Sequence, residues 1–84
     1  MSYVFSDHAW GEYLHWQKTD RQILKRINIL LKEISRLPFE GIGKPEPLRH
    51  ALAGYWLRRI TEEHRIVYRA EGSTVYIAQL RYHY

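Results

Sequence analysis

The chain has 84 residues, 45% of them hydrophobic, with three Trp, seven Tyr and no Cys. That length suits one domain, residues 1–84, burying about 60% of its unfolded-chain surface, and the missing thiols exclude disulfides, thiolate metal sites and a Cys nucleophile. A formal net charge of +4 and a pI of about 9.6 favour a polyanion as partner.

The opening Met1-Ser2-Tyr3-Val4-Phe5-Ser6 has neither a basic region nor a long apolar run, which argues against a signal peptide. No stretch approaches the roughly 18–20 apolar residues of a membrane span, so the expectation is a soluble, cytoplasmic protein with no membrane contact. Residues 2–6 read as a first strand. Ser6 or Asp7 can cap a helix whose apolar face is Trp10, Tyr13, Leu14 and Gln17. Thr19-Asp20-Arg21-Gln22 matches a capping box with Thr19 at the cap, opening a second helix. There Ile23, Ile27, Leu30, Leu31 and Ile34 form one stripe, with Lys25, Arg26, Lys32 and Arg36 mainly off it. Pro38 ends this helix by pushing Leu37 toward extended geometry. Short connections predict an antiparallel helical hairpin.

Residues 38–47 hold three prolines and two glycines, and regular structure is not expected there. Beyond them, strands are predicted at about 48–52, 55–61, 64–70 and 74–82, separated by short spacers that imply an antiparallel meander. The fold class is therefore α+β: a two-helix hairpin on one face of a mainly antiparallel sheet, in the order β-α-α-β-β-β-β. The sheet's other face is left for a ligand. Trp10, Trp16 and Trp56 are assigned to the core.

Polar candidates cluster in the second half: Lys44, Glu46, Arg49, His50, Arg58, Arg59, His64, Arg65, Arg81, Tyr82, His83 and Tyr84. A three-residue loop after Ala70 would set Arg65 opposite Gln79, on the face of Arg81 and His83; a two-residue loop would put it on the other face. Metal-free RNA cleavage needs a base for the 2′-hydroxyl proton, an acid for the leaving 5′-oxygen and cations beside the phosphate. Glu46, His83 and Arg65 could fill those roles in turn. Each also has a plain reading: a solvated loop carboxylate, a frayed terminal imidazole, and a surface cation paired with Glu62 or Glu63. His8, His15, His50, His64 and His83 contain no metal-binding spacing, and neither metal nor cofactor is implied.

The block Gly41-Ile42-Gly43-Lys44-Pro45-Glu46-Pro47-Leu48-Arg49-His50 resembles the loop-and-strand signature of YoeB toxins in the RelE/ParE superfamily. So do Gly54-Tyr55-Trp56-Leu57-Arg58-Arg59-Ile60-Thr61, Glu63-His64-Arg65-Ile66-Val67-Tyr68 and the ending Arg81-Tyr82-His83-Tyr84, in the same order across the chain. The resemblance implies a ribosome-dependent endoribonuclease that cleaves messenger RNA within the aminoacyl-site codon, without a metal, and so inhibits translation. It implies Glu46 as general base, His83 as general acid, Arg65 as phosphate and transition-state stabiliser, and Tyr84 as a substrate-orienting residue. Arg59 fits a further phosphate contact, with Lys44 and Arg49 as substrate-binding cations. Arg49 stands where the family tends to have Lys, and Leu57, Ala51 and Ala53 also depart from its pattern. Lys25, Arg26, Lys32 and Arg36 are candidates for ribosome docking. The implied partners are the 70S ribosome with its A-site message and a YefM-type antitoxin whose disordered segment folds onto the toxin. A homodimer is a further possibility on the same resemblance. Two rival readings are a ParE-like poison of DNA gyrase, which has no use for Glu46, Arg65 and His83 together, and a non-catalytic RNA- or ribosome-binding module.

Overall fold

A computed structural model describes residues 1–83. The elements run β1 (Ser2–Phe5), α1 (Asp7–Thr19), α2 (Arg21–Arg36), β2 (Glu46–Pro47), a 3-10 turn (His50–Leu52), β3 (Trp56–Arg59), β4 (Arg65–Glu71) and β5 (Thr74–Gln79). The expected α+β arrangement is present. The sheet order is β1-β5-β4-β3-β2. Neighbours among β2 to β5 are antiparallel, but β1 lies parallel to β5, so the sheet is mixed and the last strand sits inside it.

Ser6 caps α1 by accepting from the Ala9 amide at 3.0 Å. The cap of α2 is Asp20, not Thr19. Asp20 Oδ1 accepts from the amides of Gln22 (3.0 Å) and Ile23 (3.1 Å), while the Thr19 hydroxyl donates back to His15 O. Asp20 also donates its own amide to Trp16 O, so one residue closes the first helix and opens the second.

The α2 stripe is as expected: Ile27, Leu30, Leu31 and Ile34 are buried, with Ile23 and Leu24 packed against them. The α1 face is not. It buries Ala9, Glu12 and Trp16 with Tyr13 beside them, whereas Trp10 and Leu14 are exposed. The true stripe contains a carboxylate, which breaks its apolar periodicity. Of the three Trp, Trp16 is core, Trp56 packs partly buried against the core, and Trp10 lies outside it, stacked on Tyr13.

The strand expected at 48–52 is absent. Its place is taken by the 3-10 turn, with His50 at φ 59°, because Pro47 pairs with Trp56 and the chain must reverse within eight intervening residues. The strand expected to reach 82 ends at Gln79, where Leu80 to His83 turn away.

Sheet alternation sends Arg58 toward the helices and Arg59 away from them. Arg58 is fully buried. Its guanidinium donates to the Tyr68 hydroxyl (3.1 Å) and to the carbonyls of Ile42 (3.1 Å), Glu40 (2.8 Å) and Leu37. Tyr68 in turn donates to Pro38 O at 2.6 Å. Burial pushes the Tyr68 phenol above its ordinary pKa, outweighing the hydrogen bond and charge of Arg58, and it stays a donor. The irregular segment after α2 is thus folded around a cation that its own carbonyls solvate. Gly43 completes the seal. At φ 85° it lies so close to α2 and β3 that an added Cβ would sit 3.0 Å from Leu30 Cδ2 and 3.1 Å from Arg58 Cβ.

Removing the guanidinium strands several buried carbonyls at once. Denaturant unfolding should show Arg58→Ala losing about 3–5 kcal/mol, against a change within about 0.5 kcal/mol for Ile29→Ala on the exposed side of α2. An Arg58 variant as stable as the parent would mean that the loop is anchored elsewhere.

Candidate active site on the open face of the sheet

The face turned away from the helices is built in rows. Register sets Glu46 opposite Leu57, Leu57 opposite Val67 and Val67 opposite Gln79. At strand spacing this row runs about 14 Å from β2 to β5. Two residues further along β3 and β4, Arg59 and Arg65 are paired on the same face. Val67 is buried yet stands outside the main core cluster, and it floors this surface.

The register comes from a feature that the spacing did not reveal. The β4–β5 turn has two residues, since Glu71 pairs with Thr74. Taken alone it would put Arg65 on the face opposite Gln79. The pairing then shifts between Tyr68–Ile77 and Val67–Gln79, leaving Ala78 as an extra residue, and this bulge restores the parity. Neither simple loop alternative holds, and Arg65 does not pair with Gln79. Its amide donates instead to Tyr82 O at 2.9 Å.

Glu46 lies in the short strand β2, not in a loop, and is exposed. Lys44 (φ 53°) and Arg49 are exposed on either side of that strand. The Arg59 amide donates to Gly43 O at 2.7 Å, which ties the loop to β3 and fixes where β2 begins. Glu62 faces Arg59 (3.7 Å) and Glu63 faces His64 (3.6 Å), so Arg65 is not the ion-pair partner of either. Arg65 Nη1 donates to the carbonyls of Thr61 (2.9 Å), Glu62 (3.1 Å) and His64 (3.1 Å). Those bonds aim the guanidinium, while Nε and Nη2 have no partner among the described residues. A cation held in this way can meet a phosphate with little further ordering.

His83 is exposed, but the segment carrying it is tied down at successive residues. Leu80 donates its amide to the buried Glu12 carboxylate (2.8 Å), and its carbonyl accepts from Trp16 Nε1 (2.9 Å). Gln79 Nε2 donates to Arg81 O (2.8 Å) and lies 3.3 Å from His83 O. Tyr82, at φ 67°, donates its amide to His64 Nδ1 (2.8 Å). The expectation of a frayed end does not apply through His83. Glu12, Trp16 and Gln79 were not assigned to the site from sequence, and His64 stood among the polar candidates without a role. Of the first three, only the charged Glu12 within an otherwise core-forming stretch carried a signal. Tyr84 lies outside the described residues.

Two rows from Arg65, Arg69 stacks on Tyr76 with its guanidinium carbon 3.9 Å from the ring centroid, and Tyr55 lies 5.9 Å away. On the other side of the molecule the basic residues of α2 divide. Lys25, Lys32 and Arg36 fall within about 20° of one helical direction, and Arg26 lies about 100° from it. Lys25 and Lys32, with Arg21, Leu24, Asn28 and Ile29, border a shallow groove of about 430 Å³. Arg36 pairs loosely with Glu33 at 3.9 Å. Among the described residues no group of three or more His, Asp or Glu could hold a metal ion, and no helix is long and apolar enough to cross a membrane.

Comparison with known proteins places the sequence and fold in a family. Residues 5–84 match the model of a "YoeB-like toxin of bacterial type II toxin-antitoxin system". The chain is 55% identical to "Toxin YoeB" of Escherichia coli (strain K12) over 84 residues, covering all of both chains. It superposes on a "YoeB/ParE toxin from Agrobacterium tumefaciens" with a TM-score of 0.97 and 48% identity, covering both chains in full. A Staphylococcus aureus YoeB, solved as a dimer (TM-score 0.94) and in a heterotetrameric complex with YefM (0.93), is 45% identical; each match covers all of this chain and 98% of the other. The chain belongs to the YoeB-like toxins of bacterial type II toxin–antitoxin systems.

Proposed function

We propose that the protein is a ribosome-dependent endoribonuclease that cuts messenger RNA in the ribosomal A site, arrests translation, and is neutralised by a YefM-type antitoxin. The observation that carries this reading is the single open face shared by Glu46, Arg59 and Arg65, with the His83 segment bound at its far edge. A base and an acid beside a pair of cations on one face suit in-line phosphoryl chemistry. Glu46 takes the proton from the 2′-hydroxyl, whose oxygen attacks phosphorus. The bond from phosphorus to the 5′-oxygen breaks, and His83 donates a proton to that oxygen. The products are a 2′,3′-cyclic phosphate and a free 5′-hydroxyl. Arg65 and Arg59 meet the charge that grows on the non-bridging oxygens, and Lys44 and Arg49 hold flanking phosphates. Tyr84 orients the substrate. No metal or cofactor takes part in a step balanced by these side chains alone.

The site of action would be the cytoplasm, where ribosomes are. An exposed cationic stripe of Lys25, Lys32 and Arg36, with Arg26 on the adjoining flank, serves docking on ribosomal RNA. The antitoxin reading rests on the YefM complex of the Staphylococcus aureus relative. Self-association rests likewise on that relative's dimer.

Two measurements test the reading. Single-turnover cleavage of ribosome-bound message should slow by about 10²–10⁴-fold in Glu46→Ala and in His83→Ala, with little change in melting temperature because both side chains are exposed. Full activity in both variants would sink the assignment. Ribosome affinity should fall steeply as salt is added. Lys25→Glu with Lys32→Glu should weaken binding while the chemical step on saturated ribosomes stays nearly intact; unchanged affinity would make that helix face an ordinary solvated surface.

A further inference from the structure

The buried polar or charged residues among those described are Glu12, Arg58 and His64. Arg58 holds the loop after α2, and Glu12 spends an oxygen on the Leu80 amide. His64 is the remaining one, with 7% of its surface exposed, and it has no role in the reaction described above.

We propose that His64 is a positioning residue for cleavage: a neutral imidazole whose Nδ1 fixes the segment bearing His83. This rests on the reading of His83 as the acid. The ring sits edge-on to Trp16, with centroids 4.7 Å apart, and its Nε2 lies 3.6 Å from Glu63 Oε1. Nδ1 accepts from the Tyr82 amide, so the proton belongs on Nε2, on the Glu63 side. The hydrogen-bond network assigns this tautomer, and a doubly protonated ring would turn an N–H against the Tyr82 N–H.

Backbone geometry shows why a clamp is needed. Tyr82 holds φ 67°, a region that bulky residues rarely adopt unless their surroundings impose it. Two bonds impose it. One is the His64 ring on the Tyr82 amide, and the other is the Arg65 amide on the Tyr82 carbonyl. The same residue also aims the phosphate-facing cation, since His64 O accepts from Arg65 Nη1 at 3.1 Å. His64 therefore contacts both the segment of the acid and, with Thr61 and Glu62, the cation, and cleavage depends steeply on that kind of placement.

Two substitutions separate positioning from mere core filling. His64→Leu keeps apolar volume against Trp16 but has no acceptor. His64→Asn sets an amide oxygen near the place of Nδ1. Single-turnover cleavage on saturated ribosomes should fall about 10–100-fold in His64→Leu, with ribosome affinity unchanged, and most of the loss should be recovered in His64→Asn. Hydrogen exchange at the Tyr82 amide should speed up in the Leu variant and remain slow in the Asn variant. An undiminished rate in His64→Leu overturns the proposal, as does a Leu variant whose Tyr82 amide stays protected. If either variant fails to fold, nitrogen NMR of the intact protein decides: an unprotonated Nδ1 with a proton on Nε2 supports the clamp, and a protonated Nδ1 overturns it. His83→Ala in the same assay keeps the two ideas apart. Activity in His83→Ala refutes the acid assignment, and the clamp then stands or falls on Tyr82 exchange. An inactive His83→Ala beside a fully active His64→Leu refutes the clamp alone.

Discussion

The rest of the structure depends on the solvation of one buried cation. Arg58 carries its charge into the layer between sheet and helices and finds there only carbonyl and hydroxyl oxygens. A buried charge without such partners is strongly unfavourable. The segment from Leu37 to Ile42 must therefore fold inward to present its carbonyls. Once it does so, Gly43 reaches β3, β2 pairs with β3, and Glu46 comes onto the open face. A stretch rich in Pro and Gly has a defined shape because its backbone is the coordination shell of an arginine.

That explains a division of labour between neighbours of the same type. Arg58 and Arg59 are adjacent on one strand, so alternation commits one to the interior and the other to the open face. His64 and Arg65 divide in the same way: His64 is buried and spends its ring on the backbone, and Arg65 spreads its guanidinium over the surface of the sheet. In both pairs the hidden member holds backbone on which the placement of the visible one depends.

How far this was legible in the sequence follows from the same physics. The α2 stripe was readable because all its buried members are apolar, and α1 was misread because Glu12 interrupts its stripe. The α+β class and the strand positions near 56, 65 and 74 followed from composition and spacers. The parallel β1–β5 pairing did not, because nothing local records which strand a segment will meet. The Ala78 bulge was invisible for a similar reason: one extra residue leaves the local pattern intact and reverses every facing beyond it. Glu46, Arg59 and Arg65 were readable as candidates through their residue types and a family resemblance. The hydrogen bonds that hold Leu80 and Tyr82 involve backbone atoms, which no side-chain pattern reports. An arginine doublet in a strand did carry an unused signal, since alternation obliges one of the two to point inward.

The position of β5 has a consequence for synthesis. It is flanked by β1 and β4, and Ser2 pairs with Thr74, so the earliest strand waits for the latest one. While translation proceeds at about 5–20 residues per second, the hairpin of helices and the β3–β4 pair can form, but β1 has no neighbour until residues 74–79 exist. The bonds to Leu80 and Tyr82 come later still. A nascent chain is thus a three-stranded sheet, β4-β3-β2, with β1 still unpaired, and the open face is incomplete until β5 and the segment through His83 have been released from the ribosome. Contact order, usually a cost in folding speed, here places completion of the open face at the end of synthesis.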